Sequence, residues 1–336
     1  MSEALLGALR GVAPALAFGA ANRTRVPEEV AVVIQTSGST GPPKEVALSA
    51  SALISSAKAS HNFLGAQLGQ SWSLLLPTTH IAGVNVLVRA LELGTPVLGI
   101  DAEVEYSAIV PTQLHRALHG DEKLLKHLKN SMAVLIGGGA TPRSLLELGR
   151  AAGVNLITTY GMTEMCGGCI YNNQLLPGLS VQIGEDRVIQ LSGPSRAFGY
   201  LNDMNLWNAA NTDDWFKTSD TGELIDGNLF VTGRIDDQII SGGEKISLSL
   251  IENFLNEKFS PRKFASFALP SVEWGEILAI ASDQELVEEE IKSAIKSEFG
   301  AHATPKAFLI ENRIPLNPMG KPERERLREI FERIRE

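Results

Sequence analysis

The sequence predicts an α/β fold: a large N-terminal layered α/β domain with a smaller α+β domain behind it. Three observations lead there. Short β-branched and apolar runs alternate with helical stretches from position 30 to 159, the pattern of a mostly parallel, layered sheet. Runs ending at 34, 136 and 159 pass into glycine-containing loops, and ligands of such sheets sit beyond the carboxyl ends of the strands. The texture then changes twice, to short strands and turns after Gly178 and to a charged mixture of helices and strands from Ile235. That last stretch, running to Glu336, is long enough to be a domain of its own.

Each element has its own signal. Residues 4–21 are apolar and alanine-rich and read as a buried or capping helix; Arg10 interrupts them and no basic stretch precedes them, so no secretory signal is expected. A strand over 30–34 leads into the first glycine loop. A helix over 49–65 follows, with Ser49 as its N-cap. Strands are expected at 73–76, ending at Pro77, at 96–100, and at 106–110, closing at Pro111. Helices are expected at 81–93, stopped by Gly94, at 113–118 and at 122–128. Residues 133–136 form a strand running into Gly137-Gly138-Gly139; Pro142 then starts a helix over 144–152, and 155–159 is again a strand. Strands follow at 180–183, 187–191, 222–225 and 228–231, the last two joined by a turn at Asp226-Gly227-Asn228. The final region reads as a helix at 248–258, strands near 265–269 and 277–281, and helices at 286–299 and 321–336.

Composition narrows the function. A net charge of −9 opposes a nucleic-acid surface, which shows a basic excess, though it leaves room for a local phosphate pocket. No uninterrupted apolar run is long enough to span a membrane, so a cytoplasmic address is the default. Cys166 and Cys169 allow at most one bridge. Their spacing suits a redox or zinc site, but zinc needs two further ligands and no second such pair exists; small residues packed beside a pocket is the plainer reading.

Two motifs point to chemistry on ATP. In Thr36-Ser37-Gly38-Ser39-Thr40-Gly41-Pro42-Pro43-Lys44 the glycines let backbone wrap anionic oxygens, the hydroxyls donate, and Lys44 adds a mobile cation. This is not a Walker A loop, because Pro43 precedes the lysine and Glu45 follows it. A flexible Ser/Gly linker is the bland alternative. In Tyr160-Gly161-Met162-Thr163-Glu164 a ring can stack on adenine, a hydroxyl can donate to phosphate, and a carboxylate can hold Mg²⁺ through one oxygen. Alone, that pentapeptide is an ordinary turn followed by a cap.

Taken in order, the motifs resemble the adenylate-forming (AMP-binding) superfamily of acyl- and aryl-CoA synthetases, peptide-synthetase adenylation domains and luciferases. The matching segments are 36–44, Gly137-Gly138-Gly139-Ala140, 160–164, 215–222, 233–239, 241–245 and Asn317-Pro318-Met319-Gly320-Lys321. The resemblance implies an adenylation domain over 1–235 and a mobile C-terminal domain over 236–336, hinged near Asp236. It implies that Gly138, Gly139, Ala140, Tyr160 and Gly161 line the adenine and the acyl group, and that Thr163 meets phosphate. Asp220 would accept from the ribose hydroxyls with Arg234 beside it, and Glu164 would bind Mg²⁺. Lys321 would reach the α-phosphate and the attacking carboxylate, and Gly242, Gly243 and Lys245 would serve the coenzyme A side. A carboxylate attacks the α-phosphate of ATP, giving acyl-adenylate and pyrophosphate; the small domain then rotates and a thiol takes the acyl group. Attack of one anion on another needs charge compensation, and one preorganised donor is worth roughly 2.7–4 kcal/mol in the barrier. Ser219 departs from the glycine usual before the ribose aspartate.

Within that superfamily, segments 72–83 and 160–171 and the short stretch before the phosphate loop resemble the compact o-succinylbenzoate–CoA ligases of menaquinone synthesis. The implied substrates are o-succinylbenzoate, ATP with Mg²⁺, and coenzyme A. The shortness of the N-terminal region is read as a truncated form, and a homo-oligomer stays open. His80 matches the position beside the reacting carboxylate, or is a satisfied loop histidine. Arg89 lies in an otherwise apolar helix, and a guanidinium buried there demands an anion; it matches the arginine that takes the substrate's second carboxylate. The alternative has it reaching to water and pairing with Glu92. A ligase for another acid, or a nucleotide-binding pseudoenzyme, are the competing functions.

Overall fold

The computed structural model describes residues 1–19, 25–36, 43–316 and 322–335, apart from the side chains of Asp236 and Arg335. By contacts the chain divides into two units, Met1–Thr218 with Gly222–Val231, and Ser219–Thr221 with Thr232–Glu336.

The first unit opens with α1 (Ser2–Leu9), which ends at Arg10 and Gly11, short of the helix expected to 21. Gly11 takes a left-handed turn and Pro14 cannot continue the helix, so the chain extends instead into β1 (Leu16–Phe18), parallel to β2 (Val30–Thr36). From Lys44 the chain returns as β3 (Lys44–Ser49), antiparallel to β2 with Thr36 opposite Lys44. The first glycine loop therefore joins a hairpin rather than a strand and a helix. Helix α2 (Ala50–Leu64) follows as predicted: the Ser49 hydroxyl accepts from Ala52 N–H, and Gly65 closes the helix in the left-handed region.

Next come β4 (Trp72–Ser73), α3 (Ile81–Glu92), β5 (Tyr106–Ile109), α4 (Pro111–Leu118), α5 (Glu122–Asn130), β6 (Ala133–Ile136), α6 (Arg143–Ala151) and β7 (Leu156–Met162). The strand expected over 96–100 reduces to a single bridge between Leu98 and Ser73, since Pro96 has no N–H to give a longer ladder. After β7 the chain doubles back through β8 (Gly167–Tyr171) and β9 (Gln174–Leu175). These form a six-stranded sheet in order β4-β5-β6-β7-β8-β9, parallel from β4 to β7 and antiparallel beyond.

Further along lie β10 (Ser180–Ile183), β11 (Val188–Ser192), β12 (Gly199–Tyr200), α7 (Met204–Ala210), β13 (Asn211–Thr212), β14 (Trp215–Ile225) and β15 (Asn228–Arg234). Strand β12 completes a separate four-stranded sheet, β1-β2-β3-β12. The expectation that three glycine loops leave one parallel sheet is thus corrected. The loops after β6 and β7 share a sheet, and the loop after β2 belongs to another. Lys44–Ser49, with Val46, Ala47 and Leu48 all buried, pairs as β3 with β2 before any helix begins.

In the second unit β16 (Gln238–Ser241) and β17 (Glu244–Ser247) form a hairpin whose turn residues, Gly242 and Gly243, both have positive φ (58° and 88°). That turn matches strand twist and needs glycine. Then come α8 (Leu248–Lys258), β18 (Phe264–Ser271), β19 (Gly275–Ser282), α9 (Glu288–Phe299), β20 (Ala307–Ile310) and α10 (Arg324–Arg335), the last shorter than the 321–336 expected. Alternate residues of β18 face opposite sides. Phe264 joins the cluster with α8 and α9, and Phe267 the cluster with Leu327 and Phe331 of α10.

Candidate active site

The candidate site in the first unit is built around the turn between β7 and β8. The pairing of these strands slips between Tyr160 and Gly161, a bulge of the kind that re-aims side chains. A Cβ on Gly161 would lie 2.0 Å from the Gly167 carbonyl oxygen, so only glycine lets the two strands approach there. Thr163 and Glu164 lie in the 3₁₀ turn that follows, and Cys166 leaves it with φ 52°. The Cys166 carbonyl accepts from Ser56 Oγ at 2.9 Å and Asn85 Nδ2 at 2.7 Å, which ties the turn to α2 and α3. Neither cysteine is in a disulfide and both are buried; burial pushes the Cys166 thiol up, away from the reactive thiolate. Among the described residues no group of three or more His, Cys, Asp or Glu side chains is placed to hold a metal. Both cysteines pack in the buried core of the first unit.

Glu164 and Lys44 meet around Tyr200, a residue that no sequence motif marked. Tyr200 Oη donates to Glu164 Oε1 at 2.8 Å, and Lys44 Nζ stands 4.8 Å from the centre of the Tyr200 ring. Burial first, then the Glu164 carboxylate, raises the Tyr200 hydroxyl, so it stays a donor. Ala197 N–H donates to the Glu164 carbonyl at 2.8 Å, and Asn202 brackets the start of β3 by accepting from Glu45 N–H and donating to the Pro43 carbonyl. Glu164 Oε1 is thereby fixed while its other carboxylate oxygen has no protein partner among the described residues, the donor set of a carboxylate offering one oxygen to a hard cation. Thr36 closes the hairpin base, its hydroxyl 3.5 Å from the Lys44 carbonyl. Ser37, Gly38, Ser39, Thr40, Gly41 and Lys321 lie outside the described residues.

Gly138, Gly139 and Ala140 are exposed at the end of β6, next to β7, which carries half-buried Tyr160. The structure thus brings these glycines and Tyr160 to neighbouring strand ends of one sheet. Asp220 and Arg234 belong to the second unit and pair there at 3.2 Å. Gly242, Gly243 and Lys245 are exposed on the β16–β17 hairpin of that unit, and Asp236 precedes it by two residues.

Arg89 does not reach water. Its residue is 4% exposed, Nη2 donates to Tyr171 Oη at 2.9 Å, and the guanidinium lies 5.1 Å from the Trp72 ring. Glu92 is engaged with His61 Nδ1 at 2.9 Å rather than with Arg89, so the alternative pairing is not made. Among the described residues Arg89 forms no ion pair with a carboxylate. Burial lowers the His61 pKa, with the Glu92 bond opposing it. Arg89 Nε, Trp72 Nε1 and His61 Nε2 are buried in this one neighbourhood with no hydrogen-bond partner among the described residues. A buried guanidinium left without an anion costs several kcal/mol. Tyr171, Trp72 and His61 were missed from sequence; only the charge in an apolar helix was visible. His80 is exposed at the start of α3 and makes no capping bond.

Comparison with known proteins adds the family. A family model described as AMP-binding enzyme matches residues 13–190. A probable 2-succinylbenzoate–CoA ligase from Mycobacterium tuberculosis is 34% identical over 96% of this chain and 87% of its own length. An o-succinylbenzoate CoA synthetase from Bacillus subtilis, solved with its acyl-adenylate intermediate, superposes with a TM-score of 0.77 at 25% identity, over 89% of this chain and 69% of that one. The same enzyme solved with ATP and a magnesium ion gives a TM-score of 0.77 at 25% identity, over 89% and 70%.

Proposed function

The chain belongs to the AMP-binding enzyme family, and from that membership we propose that it joins o-succinylbenzoate to coenzyme A through an acyl-adenylate, at the expense of ATP. One observation carries the choice of acid. Arg89 is a buried cation with no carboxylate partner among the described residues, and a substrate with two carboxylates supplies one after the other has reacted. A simple monoacid leaves Arg89 uncompensated. The names of the relatives point the same way.

In the first step the aliphatic carboxylate of the substrate attacks the α-phosphate and pyrophosphate leaves. Gly138, Gly139, Ala140, Tyr160 and Gly161 receive the adenine and the acyl group, with His80 beside the reacting carboxylate. Thr36, Thr163, Lys44 and the loop 37–41 take the phosphates. Tyr200 holds Glu164 so that one oxygen faces a cation. Magnesium, when bound, neutralises phosphate charge. Asp220 and Arg234 bind the ribose. Lys321 compensates the charge that builds between the two anions. In the second step the domain 236–336 turns about Asp236, and the coenzyme A thiol attacks the acyl carbonyl and expels AMP, with Gly242, Gly243 and Lys245 on the thiol side. A reaction that consumes ATP and coenzyme A fits a cytoplasmic address.

Arg89→Gln tests the carboxylate site. It is expected to raise KM for o-succinylbenzoate by on the order of 10²-fold, the loss that follows truncation of a buried charge partner, with KM for ATP unchanged. A KM for the acid within about twofold of the wild-type value removes Arg89 from the site.

A further inference from the structure

We infer that His61 is the proton partner of Arg89: a carboxylate that comes to rest on the Arg89 guanidinium brings a proton onto His61 Nε2. The choice of a carboxylate rests on the reading of Arg89 given above. The coupling of the two side chains follows from geometry within the first unit and needs no reaction.

Arg89 and Glu92 stand three apart on α3 and so share one of its faces. His61 lies in the last turn of α2, the end of a helix that favours a cation. Its Nδ1 is 2.9 Å from Glu92 Oε2; an ionised carboxylate only accepts, so Nδ1 holds a proton. In the neutral ring that leaves Nε2 a bare acceptor, buried with no hydrogen-bond partner among the described residues. Trp72 lies against both groups. The His61 ring is 6.2 Å from one of its ring centres, and the Arg89 guanidinium is 5.1 Å from its ring. Trp72 Nε1 and Arg89 Nε are likewise buried with no hydrogen-bond partner among the described residues.

Arg89, Glu92 and a neutral His61 sum to no net charge. A carboxylate on Arg89 adds one negative charge in a place where uncompensated charge is costly. A proton from solvent, taken by the Nε2 lone pair, restores the balance and breaks no bond. The imidazolium keeps its Nδ1–H on Glu92 and gains a second donor. Burial holds the His61 pKa below its ordinary 6.5; the Glu92 bond opposes that, and the Arg89 charge adds to it. A carboxylate on Arg89 cancels this last contribution. Two other titratable groups lie on the packed strands. Tyr171 of β8 accepts from Arg89 Nη2, and the Tyr106 ring of β5 is 5.0 Å from that of Trp72; both bring hydroxyls rather than charges. The sign follows. His61 titrates lower in the free protein than in the complex, and between the two values binding takes up a proton. Kd for the acid therefore falls as pH falls through that window, by up to about tenfold per pH unit, and is flat outside it.

The test begins without ligand. Protein labelled with ¹⁵N-histidine is titrated by NMR over about pH 5–8, and His61→Gln identifies the His61 signal among the six histidines. Arg89→Gln should move the His61 midpoint up, while Arg89→Lys, which keeps the charge, should leave it low. Next, o-succinylbenzoate is titrated calorimetrically into wild-type protein, with Mg²⁺ and a non-hydrolysable ATP analogue present, in two buffers of different ionisation enthalpy. Just above the free midpoint we expect uptake approaching about one proton per acid bound, and none in His61→Gln. A His61 midpoint that Arg89→Gln leaves in place, binding without proton uptake, or the same uptake in His61→Gln overturns the inference. If Arg89→Gln does not fold, the calorimetry decides. If o-succinylbenzoate does not bind wild-type protein, the functional reading fails, and the ligand-free titration alone decides whether Arg89 and His61 are coupled.

Discussion

Tyr200 shows how a residue of the candidate site stays hidden in a sequence. It is a plain aromatic in β12, yet its hydroxyl fixes Glu164 and its ring receives Lys44. Nothing local signals this, because the contact exists only once β12 pairs with β3. Glu164 and Lys44, by contrast, stand in motifs that mark them as candidates from sequence alone. If Glu164 is the cation ligand, Glu164→Gln should raise the Mg²⁺ concentration needed for pyrophosphate release and lower the rate at saturation by on the order of 10²-fold, the usual cost of one lost charge-stabilising group. A magnesium titration that superposes on wild type would remove that role. Arg89 lies between the two cases. Its charge in an apolar helix is visible, but its partners Tyr171 and Trp72 come from β8 and β4, which only the fold brings to it.

At the scale of elements, what was legible followed how local the signal is. Helix α2 is legible with its N-cap and its extent, because Ser49 carries the start chemistry in its side chain and Gly65, at its end, has none. Helix α8 and strands β6 and β10 were read to the residue. Strands β3 and β8 were missed. They pair with β2 and β7, partners that only the fold reveals, and the glycine-rich Gly167–Tyr171 carries little strand propensity. The β7–β8 turn makes a sharp prediction. Gly161→Ala puts a methyl 2.0 Å from the Gly167 carbonyl, where backbone rather than a mobile side chain must move. It should cost about 1–3 kcal/mol of stability, the range for overpacking, and lower activity through Tyr160 and Glu164 on either side. A thermal midpoint and rate equal to wild type would show that the bulge tolerates a side chain.

For the whole molecule, the order of weak motifs was the informative quantity. Each of the segments around Thr36, Gly138, Tyr160, Asp220, Arg234 and Lys321 is ordinary alone, while their sequence along one chain marked the family that the comparisons then showed. The layered α/β class was legible too, but not its division into separate sheets, since pairing partners are chosen by packing and not by periodicity. Among the described residues no helix is long and apolar enough to cross a membrane. The central claim is the reaction, and its direct test is pyrophosphate release from ATP·Mg²⁺ with coenzyme A, using o-succinylbenzoate, benzoate, succinate and hexanoate in parallel. The account predicts release with o-succinylbenzoate and little with benzoate or hexanoate, which leave Arg89 without a carboxylate. Equal release with a monoacid, or none with o-succinylbenzoate, would contradict it.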